Sequence, residues 1–182
     1  MRNRVPLVLT LSALALCFAI TAGCSDDSAP RSLLQVTSVN DNQPLTSDVA
    51  EGPDTSLTVR EDIIVITVKN NPHDDVLNLT AEGGFGYVTL DRYEIRFDSD
   101  EAIPSVSGNL GWTVSSGSSV EGSLVVVPAS HKVQAPLISL RHGGEIQTTA
   151  RLKITGREAT SNAKVTVETS FPVNFANWTD ED

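Results

Sequence analysis

From Lys164 to Phe175 the chain alternates with a period of two. Val165, Val167, Thr169, Phe171, Val173 and Phe175 fall on one side, and Lys164, Thr166, Glu168 and Ser170 on the other. Successive side chains of a strand point to opposite faces, so this pattern specifies a half-buried β-strand and excludes a helix. The same period recurs upstream. Ala150, Leu152 and Ile154 alternate with Arg151, Lys153 and Thr155, and Tyr93, Ile95 and Phe97 alternate with Arg92, Glu94 and Arg96. No segment after residue 23 sustains an apolar period of 3.6, so long helices are not expected.

Further strands are predicted at Leu33–Val39, Leu57–Lys69, Leu77–Leu79, Leu110–Ser115, Val120–Val127 and Leu137–Arg141. In Ile63-Ile64-Val65-Ile66-Thr67-Val68 both faces are apolar, as in a central strand. Asn70-Asn71-Pro72-His73-Asp74-Asp75 carries turn chemistry and is expected to end it. Gly156 to Asn162 reads as the polar loop of a final hairpin. Pro172 lacks an N–H, which assigns its part of the last strand to an edge or a bulge. Extra length is expected as loops at 40–56 and 98–109. The fold class predicted is all-β, an antiparallel sandwich of about 7–9 strands.

The final hairpin resembles the last two strands of immunoglobulin-like and fibronectin-like domains, at the level of architecture. The immunoglobulin cysteine pair is missing, and Trp112 has no disulfide to pack on. The chain's two cysteines are Cys17 and Cys24.

Both cysteines belong to the first 24 residues, which have a different character. Arg2 and Arg4 form a short positive start, Val5 to Ile20 is uncharged and apolar, and Thr21-Ala22-Gly23 is small. This is the three-part plan of an export signal, with an apolar run too short to span comfortably. Ile20-Thr21-Ala22-Gly23-Cys24 resembles the lipobox of bacterial lipoproteins, with Thr21 in place of the usual Leu. The resemblance implies cleavage before Cys24 and a diacylglycerol on its thiol. Two or three acyl chains anchor stably where one is marginal. Ser25 is not the Asp that retains enteric lipoproteins at the inner membrane, which favours the outer one. The expected organisation is a signal at 1–23, an acylated tether at 24–31, a sandwich at 32–178 and an acidic tail at 179–182.

Charge narrows the partners. The chain has 13 Lys+Arg and 23 Asp+Glu. Removing the signal takes away two of the cations and none of the acids. Such a balance disfavours nucleic acid and anionic lipid surfaces, both of which reward Lys and Arg.

Catalytic patterns are missing. His73, His131 and His142 are scattered, and neither HExxH nor GxSxG occurs. Gly83-Gly84-Phe85-Gly86 lacks the helix and the Lys of a phosphate loop. The site-like features are acidic turns and aromatics. Asp98, Asp100 and Glu101 have a spacing loosely suited to calcium, with Asn70, Asn71 and Asp74 as further oxygen donors. Trp112 is a candidate ligand platform for carbohydrate, and Trp178 is expected to cover the bottom of the core. The sequence thus predicts a non-catalytic, lipid-anchored envelope module. Its partner would be an envelope protein or glycan, and no cofactor is implied beyond calcium. The alternative is a calcium- or carbohydrate-binding lipoprotein.

Overall fold

The computed structural model describes residue 30 and residues 32–51, 58–72 and 86–178. The segment expected as a signal, Cys24, the turn expected at 73–75, the strand expected at 77–79 and the acidic residues 179–182 lie outside these residues.

Among the described residues eight strands form an all-β sandwich: β1 (Ser32–Val39), β2 (Leu45–Asp48), β3 (Asp62–Pro72), β4 (Tyr87–Phe97), β5 (Val106–Ser115), β6 (Ser119–Val127), β7 (Glu145–Glu158) and β8 (Lys164–Ala176). One sheet has the order β1-β3-β6 and the other β2-β8-β7-β4-β5. Consecutive strands β3 and β4 lie in opposite sheets, as do β6 and β7, while β3 pairs with β6 and β4 with β7. These interlocked pairs hold the layers together through the chain's own crossings. All pairings are antiparallel except β2 with β8.

The alternation read from sequence is the burial pattern. Ile95, Ala150, Leu152, Ile154, Val165, Val173 and Phe175 are buried, facing Ile64, Ile66, Val68, Leu124 and Val126 of the smaller sheet. Phe97 meets Phe175 edge-on, with centroids 5.6 Å apart, a favoured aromatic geometry. Strand β3 is the central strand of its sheet. Its second apolar face is not covered, and Ile63 and Val65 are exposed.

The corners explain where sequence reading and structure part. Asn40, Asp41 and Asn42 all have positive φ, between 48° and 61°. Asn and Asp tolerate this left-handed region better than other side chains. Asn40 Nδ2 also donates to the carbonyls of Gln43 and Pro44. This left-handed turn swings the chain from β1 in one sheet to β2 in the other. The expected loop at 40–56 therefore contains a strand. The loop expected at 98–109 is likewise shorter, because β5 starts at Val106. Strand β3 runs on through Asn70 and Asn71 to Pro72. Buried Asn70 donates to the carbonyls of Gly86 and Val114, which replaces turn chemistry with a link between sheets.

Leu137–Arg141, expected as a strand, lies in a 3-10 helix, Leu137–His142. Leu137 and Leu140 are buried while Ile138 is exposed. Period three brings those two leucines to one face, and a short apolar run does not separate this from alternation. Pro172 sits opposite Thr149 in unbroken β7–β8 register, and β2 joins the other side of β8 only from Val173. Its missing N–H thus falls on the stretch of β8 with one strand neighbour, as an edge assignment requires.

Candidate functional site

Asp98, Asp100 and Glu101 stay in the turn after β4. The Asp98 carboxylate accepts from Arg151 Nε at 2.5 Å, and Glu101 and Asp100 face solvent. Among the described residues no group of three or more His, Cys, Asp or Glu stands where it could hold a metal ion. Trp112 is half-buried against the core. Its indole lies over Gly122 of β6: a Cβ there would stand 2.1 Å from the ring. The ring thereby closes the corner between β5 and β6. Trp178 is exposed, contrary to the expectation that it covers the core, and its backbone N–H donates to Asp48 Oδ1 at 3.3 Å.

Two features escaped sequence reasoning. The first is a buried ionic cluster. Between β6 and β7 the chain makes one helical turn, α1 (Ala129–Lys132), and Lys132 is only 1% exposed. Its Nζ donates to Asp62 Oδ1 at 2.7 Å and to the Asp48 carbonyl at 2.7 Å. Ser47 Oγ donates to the other Asp62 oxygen at 2.5 Å. The Asp62 carboxyl is nonetheless pushed up from its ordinary value, because burial outweighs the bonds from Lys132 and Ser47. Ser47 is fully buried, so the cluster offers no accessible nucleophile. Its geometry is that of a clamp tying the crossover to β2 and β3.

The second is the outer face of the five-stranded sheet. Alternation that buries one side of β4, β7 and β8 turns Arg92, Arg96, Arg151, Lys153, Arg157 and Lys164 outward. Six of the chain's 13 basic residues thus share one face of an acidic protein. Two shallow grooves run along it and share Glu94 and Lys153. The larger, about 620 Å³, neutralises itself. Arg96 pairs with Glu94 at 2.7 Å, Arg151 with Asp98, and Lys153 with Glu168 at 2.7 Å. The Lys153 ammonium holds the Glu168 carboxyl below its ordinary value.

The smaller groove, about 460 Å³, is lined by Arg92, Lys153, Lys164 and the hydroxyl residues Ser105, Ser107 and Thr155. Among the described residues Arg92 has one side-chain partner, the Ser107 hydroxyl, at 3.3 Å. Like charges also stand directly opposite each other at Arg96/Arg151 and Arg157/Lys164. Such pairs disfavour the sheet. Around Arg96 and Arg151 neighbouring carboxylates offset the cost. At Arg157 and Lys164 no ion pair does so among the described residues.

No protein-family model matches the chain, and no curated protein is similar to it. The charged face could have been suspected from the repeated Arg-x-Lys/Arg and Arg-x-Glu alternation in β4 and β7. What that pattern lacks is register, which decides whether cations meet carboxylates or one another.

Proposed function

We propose that this chain is a lipid-anchored, non-catalytic module of the bacterial cell envelope, which presents the outer face of its five-stranded sheet to a partner. The observation that carries the reading is that face, with its outward cations and two adjoining grooves on a rigid scaffold. Electrostatic complementarity on such a surface favours encounter and orientation. The lipobox-like segment ending at Cys24 supplies the anchor, and Ser25 favours the outer membrane. Among the described residues no helix is long and apolar enough to cross a membrane. Calcium has less to stand on, because the Asp98 carboxylate is already ion-paired to Arg151. The carbohydrate reading is weakened in the same way by the packing of Trp112 over Gly122.

Two experiments test the proposal. Cys24→Ser should abolish acylation, seen as loss of the lipid mass and release from the membrane fraction. Unchanged membrane association would remove the anchor from the model. For the surface, a photo-crosslinking residue at Thr155 or Ser170 in intact cells should trap one and the same partner. The same probe at Ser123, on the other sheet, should not. Equal capture from both sheets would overturn the assignment of the face, and turnover of a hydrolase substrate panel by the purified protein would overturn the non-catalytic reading.

A further inference from the structure

The smaller groove differs from its neighbour in charge that the protein leaves unmatched. Glu94 is engaged by Arg96 and Lys153 by Glu168. Arg92 and Lys164 remain, with no carboxylate partner among the described residues. Arg92 stands on β4 opposite Thr155 of β7, and Lys164 stands on β8 opposite Arg157, two residues further along β7. Two strand spacings and a two-residue offset put their backbones roughly 12 Å apart, a gap that long side chains close from both sides. Thr155 adds a neutral hydroxyl between them, and Ser107 and Ser105 add two more on the β5 side of Arg92. Lys164 is also held directly across from Arg157, a repulsion that a bound anion would relieve.

We infer that this groove binds a phosphate monoester, with Arg92 and Lys164 as its charge partners and Ser107 and Thr155 as further hydrogen-bonding groups. A guanidinium offers a planar fork of donors to phosphate oxygens, and an ammonium offers a point charge. A monoester carries close to two negative charges above its second pKa of about 6, which matches the two unmatched cations. A carboxylate carries one. The inference rests on the proposed role of this face and names the chemistry that it recognises. The phosphate can sit on a soluble molecule or on a lipid headgroup.

The test is an amide NMR titration of the full-length protein in non-ionic detergent micelles. One arm uses soluble glycerol 3-phosphate, and the other uses micelles doped with dodecyl phosphate. Saturable shifts confined to residues around Arg92, Ser107, Lys153, Thr155 and Lys164 are expected, with half-saturation at about 1 mM or below. A response to the soluble ester assigns the groove to phosphate on free molecules or polymers. A response to the doped micelles alone assigns it to headgroups. Arg92→Gln with Lys164→Gln should weaken binding at least about tenfold, while Arg151→Gln, whose partner Asp98 lines only the self-neutralised groove, should change it less than about twofold. Binding should also weaken as pH falls from about 7.5 to about 5, where the monoester becomes a monoanion.

No localised shift in either arm would overturn the inference. So would equal losses from Arg92→Gln/Lys164→Gln and Arg151→Gln, or acetate binding as tightly as the ester. If phosphate fails and crosslinking from Thr155 still captures a partner, the interaction surface stands and its phosphate chemistry falls. If both fail, the surface itself falls.

Discussion

Replacing Lys132 with Met should cost about 3 kcal/mol of stability, because it leaves the Asp62 carboxylate facing a buried site with its cation gone. The ion pair is 2.7 Å long, with side-chain exposures of 2% for Lys132 and 15% for Asp62. That places it near the buried limit, where removing one partner costs several kilocalories. For a domain of this size about 3 kcal/mol corresponds to a melting temperature lower by roughly 10 °C. Methionine preserves most of the volume, so the loss reports charge rather than a cavity. The double variant Lys132→Met/Asp62→Leu should recover at least half of the loss, since apolar pairs replace buried ion pairs at little cost.

The loss should also depend on pH. A raised carboxyl pKa means that the folded state holds the proton more tightly than the unfolded chain does. The resulting penalty is full above the folded pKa and fades as pH falls towards 3.8, the ordinary value of an Asp carboxyl. Removing Lys132 raises that pKa further, so the gap between variant and parent should narrow in acid. A cost below about 1 kcal/mol in thermal or urea melts would show that the cluster is not a clamp.

Gly156→Ala should be comparably severe. A Cβ at Gly156 would stand 2.2 Å from the Thr89 carbonyl oxygen and 3.0 Å from Leu90 Cα. Both are backbone atoms of the neighbouring strand and cannot rotate away. The close approach coincides with an irregularity in β4: Leu90 faces Gly156 and Arg92 faces Thr155, so Asp91 is the extra residue of a bulge. Accommodating one methyl there means moving β4 against β7 in the middle of the larger sheet. Overpacking of this kind costs about 3 kcal/mol at its upper range. Gly111→Ala is the control. Nothing lies within 4 Å of its Cβ position, so its effect should stay within about 0.5 kcal/mol. Equal melting temperatures for the two variants would refute the steric account.

Gly156 also shows how the limits of sequence reading arise. With a polar stretch up to Asn162 behind it, the glycine reads as the start of a hairpin loop. In the structure β7 continues to Glu158, and the turn occupies Ala159–Ser161. Glycine marks turns and close backbone approaches alike, and only the position of Thr89 separates the two. Lys132 is a second case. A lysine in a polar connection is ordinarily solvated, and nothing local in Ser130-His131-Lys132 announces burial. Its partners stand 70 and 84 residues away. The charged face is a third, since its residues were legible as outward-facing while their pairing was not. The acidic trio was legible as a cluster, yet Asp98 is drawn off by Arg151, 53 residues distant.

By itself the sequence determined the β class, the inward and outward faces of β4, β7 and β8, and the absence of a disulfide within the folded region. Those properties follow from side-chain periodicity and composition, which are local. The tertiary structure alone decided which strands pair, that the chain changes sheet through Asn40–Asn42, that Lys132 is interior, and that Arg92 and Lys164 face a groove with no carboxylate partner among the described residues. Each of these depends on register between distant strands. A slip of one residue in that register would invert every face while leaving the local pattern unchanged.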